Sequence, residues 1–397
     1  MTLSAPYQPH GRLKARPAVE IVEHVNDLMM RNSLPAFAGL IRYHLAYVVM
    51  LAACGVISSS TAGVLLRALR RLASKGTSAL CLYPARYEEL QPAIEAWLVD
   101  EVGVENGGQL NAGRSRQECQ MVAEQLILRD DLLSVIEKVL LLVPPGDKVT
   151  SLKKNFEMGC VLKHVPRLLQ SYREVNRSRA GVGSIVPTNL VVNRMLLAQL
   201  LGFDGCIQNS LYGYSAFDIE ISLLNALKFL ATDLYRLALA LGAAVSAAEQ
   251  NDVTNSIAFT MHEAQRLYVT ASNLYLDTTP MIRGAITFST HDCLLTLERI
   301  RAALVILGHA LRFHCWRAPQ ASRRPNQAVR VRTWERPLSP LVRCVASEKT
   351  RLRRAEIELQ RRVQRATHRR SPRPPGACAR RGASRLSNKE QKRGSRS

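Results

Sequence analysis

The sequence predicts an all-α fold, and three observations carry that reading. Apolar residues recur at helical spacing through most of the first 312 residues. Six leucines, Leu223, Leu227, Leu230, Leu234, Leu237 and Leu241, follow one another at intervals of 4, 3, 4, 3 and 4. No Asn-Gly or Asp-Gly hairpin joins two alternating runs. A chain of 397 residues that is 47% hydrophobic can bury a large core, in at most about two or three domains.

Residues 1–35 are expected to form a loose arm, since Pro6, Pro9, Gly11 and Pro17 punctuate a stretch without apolar period. From Ala36 to Ile57 the apolar residues fall at helical spacing, and Ser58-Ser59-Ser60-Thr61 supplies capping hydroxyls for a second helix, Ala62 to Ala73. This pair belongs to an N-terminal helical domain, 36–110. Residues 88–143 read as helical apart from a break around Asn106-Gly107-Gly108. Beyond it Val122, Leu126, Leu133, Ile136, Leu140 and Val143 form a stripe, with Arg129 taking one slot in the seam. Pro144-Pro145-Gly146 must end that helix, because proline lacks the donor and clashes with the preceding turn. The six-leucine stripe calls for near-parallel partner helices, either in a buried core or in an oligomeric bundle. Residues 111–312 are therefore read as a central helical bundle domain.

The formal net charge is +22, from 54 Lys+Arg and 32 Asp+Glu, but it is concentrated at one end. Residues 313–397 hold 24 Lys+Arg against 5 Asp+Glu. Their Arg-rich, Pro-punctuated composition predicts a disordered basic tail, with a short charged helix admitted only at Ser347 to Gln364. Its aromatics, Phe313, Trp316 and Trp334, all lie near its start. Any polyanion would therefore be held nonspecifically, mainly through phosphate contacts.

Other classes are disfavoured. No uninterrupted apolar run of about 18 residues exists, since the best stretch, Ala46 to Leu66, contains Gly55, Ser58, Ser59, Ser60, Thr61 and Gly63. No membrane span is expected. The nine cysteines are odd in number, widely spaced and without a Cys-x-x-Cys pair, which reads as reduced thiols in a cytoplasmic protein. The nine histidines form no His-Glu-x-x-His pair or Cys/His cluster, and no phosphate loop or Gly-x-Ser-x-Gly elbow is present. Neither metal nor cofactor is expected.

Gly113-Arg114-Ser115-Arg116 stands just before a long helix. Two guanidinium forks, a hydroxyl and the free amides of a helix N-terminus suit a carboxylate, although a solvated basic turn has the same composition. The run Ala85-Arg86-Tyr87-Glu88-Glu89-Leu90, Ala93-Ile94-Glu95 and Gly107-Gly108-Gln109-Leu110-Asn111-Ala112-Gly113-Arg114-Ser115-Arg116 resembles argininosuccinate lyase, of the fumarase/aspartase superfamily. Val175-Asn176-Arg177-Ser178, Leu200-Leu201-Gly202-Phe203-Asp204-Gly205 and Asn209-Ser210-Leu211 continue the match in order. The resemblance covers roughly residues 36–310. It implies a fumarase/aspartase-like long-helix bundle, a homotetramer with each active site built from three subunits, and reversible β-elimination of a small-molecule substrate, argininosuccinate, to fumarate and arginine in arginine biosynthesis. It assigns substrate binding to Arg114, Ser115, Arg116, Gln117 and Asn209, and the catalytic base to Ser256.

The chain departs from the family's pattern at several points. The family's Asn and Asp after Gly-Arg-Ser-Arg are Gln117 and Glu118 here. The segment that supplies the family's acid/base histidine is replaced by Val143-Pro144-Pro145-Gly146-Asp147-Lys148, and His164 reads as a packing or surface histidine. The mobile loop keeps Ser256-Ile257 but loses the family's Met, Pro, Gln and Lys. Two readings therefore stand side by side: a lyase-type enzyme of reduced or lost activity, and a non-catalytic helical scaffold whose basic tail binds polyanions.

Overall fold

The computed structural model describes residues 18–80, 82, 87, 89–142, 152–179, 188–209, 212–213, 218–241, 262, 293–305, 307–308 and 335–368. The expected loose arm is corrected from Val19 onward. There α1 (Val19–Ile21), a π turn (Val22–Asn26) and α2 (Asp27–Ser33) lead into a 3-10 turn, Leu34–Ala36. Tertiary contact holds what the sequence period did not announce. Met30 and Ala36 are buried, and the Ser33 hydroxyl donates to the Met30 carbonyl (2.8 Å) while accepting from the Leu90 amide (3.2 Å).

The helical pair follows as α3 (Phe37–Ala53) and α4 (Ser59–Lys75), and the Ser58 hydroxyl accepts from the Thr61 amide at 3.0 Å as the N-cap of α4. By length and composition the helical run Val19–Ala53 is long and apolar enough to cross a membrane, contrary to the expectation from uninterrupted apolar runs. Of its most apolar window 72% is buried within the protein, as the core helix of a helical domain also would be. Next come α5 (Leu90–Val102), α6 (Val104–Gly107) and a 3-10 turn (Gly108–Asn111) at the expected glycine break, then α7 (Arg116–Leu140). Helices α8 (Leu152–Leu162), α9 (Val165–Val175) and α10 (Arg194–Leu201) follow, and the segments after α9 and α10 are tied by a two-residue parallel pair, β1 (Arg177–Ser178) with β2 (Gly205–Cys206). Long α11 (Asp218–Leu241), α12 (residues 293–305) and α13 (Glu335–His368) complete the described fold.

Two hydrophobic cores meet on α7. Cys119, Val122, Ala123 and Leu126 face α3, α4, α5 and α10, whereas Leu128 to Leu140 face α8, α9, α11 and α12. The boundary expected at residue 110 is thus no break in packing, and the change of core falls inside one helix. Leu223, Leu227, Leu230, Leu234 and Leu237 are fully buried in the second core, so the leucine stripe lies within the protomer.

Arg129 marks the junction. Its guanidinium is fully buried, donates to the Leu201 carbonyl (3.0 Å) and to Asp130 (2.9 Å), and lies 4.9 Å from the Phe203 ring centroid.

The 313–397 segment also departs from expectation. Residues 335–368 form a 34-residue helix in place of the short one admitted at Ser347 to Gln364. Leu338, Val345 and Leu352 pack on the second core, and Leu359 and Val363 on the first. Their spacing of 7, 7, 7 and 4 puts an apolar seam on one face of an otherwise charged helix.

Candidate carboxylate site

The site is built where the 3-10 turn Gly108–Asn111 hands the chain to α7. Gly113 has φ +75°, a left-handed conformation that suits glycine, and a Cβ there would meet Thr188 Oγ1 and Val192 Cγ1 at 3.3 Å. The chain around Thr188–Val192 therefore lies against this turn. Ser115 is extended (φ −97°, ψ 155°), and its hydroxyl accepts from the Glu118 amide at 3.1 Å, so it is the N-cap of α7. A hydroxyl that accepts in this way can also donate its proton to an anion held at the positive end of a 25-residue helix.

The two arginines of the motif take different directions. Arg114 turns inward: its guanidinium lies 4.4 Å from the Tyr47 ring centroid and 5.2 Å from that of Tyr43, donates to Asn111 Oδ1 (3.1 Å) and meets His44 Nδ1 (3.0 Å). Arg116 keeps a quarter of its side chain (25%) exposed and reaches Glu95 at 3.5 Å. Of the two, Arg116 is the one presented beside Ser115, and Arg114 holds the turn from behind.

A buried polar network supports them. His44 Nε2 meets Gln91 Oε1 (2.7 Å), Gln91 donates to Glu95 (2.8 Å), Tyr43 donates to Glu118 (2.7 Å) and Tyr47 to the Ala112 carbonyl (2.7 Å). Burial, and then the neighbouring Arg114 charge, hold His44 well below its ordinary pKa, so the ring is neutral at pH 7. Burial also pushes the Cys119 thiol up to about 12, which makes it a packing residue rather than a nucleophile. Sequence reasoning did not assign Tyr43, His44, Tyr47 and Gln91. Their only signal was polar residues at helical spacing inside otherwise apolar helices.

Asn209 is exposed, and its carboxamide accepts from the Tyr212 amide at 2.9 Å, capping a short turn. The Gln117 side chain and all of Ser256 lie outside the described residues. His164, expected to be a packing or surface histidine, is buried on Asp233 at 2.7 Å. Among the described residues no group of three or more His, Cys, Asp or Glu is placed to hold a metal ion.

Deeper along α7 lies a second polar knot. Arg179 forms a bidentate pair with Glu220 (2.7 and 3.1 Å), Gln125 donates to the Val175 and Arg177 carbonyls (2.8 and 2.7 Å), and Gln120 donates to Glu124 (2.6 Å). Burial pushes the Glu124 carboxyl up to about 8.

No protein-family model matches the chain. It is 27% identical over 256 residues to argininosuccinate lyase 1 of Shouchella clausii (57% of this chain, 50% of that protein). It is 30% identical over 247 residues to the argininosuccinate lyase of Oceanobacillus iheyensis (56% and 53%), and 27% over 301 residues to that of Methanosarcina acetivorans (69% and 58%). The chain thus spans about half the length of the curated relatives it matches. Among solved structures, EDDS lyase in complex with formate superposes with a TM-score of 0.61 at 16% identity, over 89% of this chain and 96% of that one. A class II fumarase from Schistosoma mansoni gives 0.50 at 13%, over 68% and 74%. These likenesses show the long-helix fold.

Proposed function

Because the chain is a relative of the argininosuccinate lyases with the fumarase/aspartase fold, we propose that it is a lyase-type protein acting by β-elimination on argininosuccinate or a similar small dicarboxylate, with reduced activity. The observation that carries this reading is the pairing of a capping Ser115 with a presented Arg116 at the N-terminus of α7. A hydroxyl donor, a guanidinium fork and a helix dipole on neighbouring residues are the groups that would hold one substrate carboxylate.

In such a reaction a base takes the proton beside a carboxylate, the electron pair is held on that carboxylate as an aci-acid, and the C–N bond then breaks to release arginine and fumarate. Ser115 and Arg116 would steady one carboxylate, and Ser256 is the proposed base. The neutral His44 and inward Arg114 would position the turn without touching substrate. The cytoplasm and arginine biosynthesis are the proposed setting.

We also propose a homotetramer. Phe156 and Phe229, on helices α8 and α11, are 62% and 42% exposed, and Leu239 is exposed on α11 as well. Large apolar side chains on long bundle helices suit burial against other copies of the chain.

The second reading, a non-catalytic scaffold, is favoured by how closely the site's polar groups are paired among themselves: Glu118 with Tyr43, His44 with Gln91 and Arg114, Glu95 with Arg116. The deciding experiment compares fumarate release from argininosuccinate by wild type and Arg116→Ala. The lyase reading expects a loss of about a hundredfold or more. A variant as active as wild type places the carboxylate elsewhere, and a wild type without activity leaves the scaffold.

A further inference from the structure

We propose that the outward face of α13 binds the phosphate backbone of duplex nucleic acid. This inference is independent of the lyase reading, since it uses no residue of the carboxylate site. Helix α13 carries nine Lys+Arg against four Glu, and their arrangement matters more than their number. At 100° per residue, Arg343, Arg354, Arg361 and Arg365 fall within about 40° of one another, on the face opposite Val345, Leu352 and Val363. Arg343, Arg354, Arg361 and Arg365 are all exposed, and the row spans about 33 Å, close to one turn of B-form duplex.

Three of the four glutamates of the helix have partners outside the row, although the Glu358 carboxylate also feels the charges of Arg361 and Arg365. Glu348 is held by Arg351 (2.7 Å) and Tyr172 (3.1 Å), Glu356 by Arg42 (3.0 Å), and Glu358, on the flank of the row, by Arg362 (2.8 Å). No ion pair to Arg343, Arg354, Arg361 or Arg365 is formed among the described residues. Arg67 of α4 adds a further exposed guanidinium beside the end of the helix, where it donates to the Thr367 carbonyl (3.1 Å).

Charge complementarity selects the partner. Arginine forks match phosphate oxygens, and a row of them along one helix face fits a rigid, regularly charged polyanion. The helix carries no Phe, Tyr or Trp, so it offers no platform for unstacked bases, and recognition should be sequence-blind. Its apolar face is already buried in the two cores. It therefore cannot insert into a lipid surface as an amphipathic membrane helix does.

The test uses the full chain and a labelled DNA duplex of mixed sequence, followed by fluorescence anisotropy between about 50 and 200 mM salt. The combined variant Arg343→Gln, Arg354→Gln, Arg361→Gln and Arg365→Gln should bind at least about tenfold more weakly, and its plot of log K against log salt should be shallower by about 3 to 4. Helicity by circular dichroism should be unchanged. The pair Arg354→Gln and Arg361→Gln alone should show the same trend at about half the change in slope. A second full-length variant, with Arg369, Arg370, Arg373, Arg380 and Arg381 changed to glutamine, should keep the helix's share of the slope. Unchanged affinity and slope in the helix variant would overturn the proposal. So would the absence of duplex binding by wild type at low salt, or tighter capture by phosphatidylserine vesicles than by the duplex.

Discussion

Arg351 reaches back 149 positions along the chain to donate to the carbonyl of Gly202 at 2.8 Å. The same guanidinium pairs with Asp204 (2.8 Å), and Asp204 accepts from Asn176 (2.8 Å), so α9, α10 and α13 are closed on one polar knot. Gly202 makes this possible in two ways. Its φ of +77° ends α10 in the left-handed conformation, and a Cβ there would meet Ala355 Cβ and Leu352 Cδ2 of α13 at 3.2 Å.

Gly202→Val should therefore destabilise the fold by about 2–4 kcal/mol, through strained backbone and a displaced α13. Urea unfolding followed by circular dichroism measures it. Arg351→Ala should weaken the same junction by a smaller amount.

Arg129→Ala should be severe. It removes the largest fully buried side chain among the described residues and the shorter of two hydrogen bonds to the Leu201 carbonyl, leaving that carbonyl only the longer one from Arg42 (3.4 Å). About 3–5 kcal/mol is expected from lost packing and a lost charge-assisted hydrogen bond. Arg129→Met should recover part of this by filling the space. Equal stabilities for the two variants in urea would contradict the packing share of the account.

The Glu124 carboxyl gives a pH signature whose sign is fixed. Its folded pKa is about 8 against an ordinary 4.5, so between these values the folded chain holds a proton that the unfolded chain has released. Its contribution to stability accordingly falls as pH rises from about 4.5 to 8. Glu124→Gln keeps the shape of the neutral carboxyl and removes the titration. The variant's stability relative to wild type should grow between pH 5 and pH 8, by on the order of 2–4 kcal/mol. A difference that does not change with pH would show that Glu124 is ionised in the fold.

Assembly is tested at the exposed apolar positions. Phe229→Glu together with Leu239→Glu should lower the mass seen by light scattering to that of the monomer, with helicity retained. Both side chains are exposed in the protomer, so its own core is not disturbed.

The helical hairpin, the Ser58 cap, the glycine break before α7 and the leucine stripe were all legible in the sequence, because period and capping are local signals. Residues 19–36 were not, since their order comes from Met30, Ala36 and a Ser33 bond to Leu90 in a distant helix. Helix α13 was obscured by composition: its seam of Leu338, Val345, Leu352, Leu359 and Val363 is diluted by arginines that face water. At the site, Ser115 and Arg116 were legible from the motif. The inward turn of Arg114 was not, because the partners that draw it in, Tyr43, His44 and Tyr47, lie about seventy residues earlier on α3.

The most direct test of the proposed activity is the appearance of fumarate, followed by ultraviolet absorbance, when the purified full-length protein is mixed with argininosuccinate and its mass is read in parallel by light scattering. The lyase reading predicts slow fumarate release by a tetramer. No fumarate from a correctly assembled tetramer would contradict it, leaving the fumarase/aspartase fold in use as a scaffold.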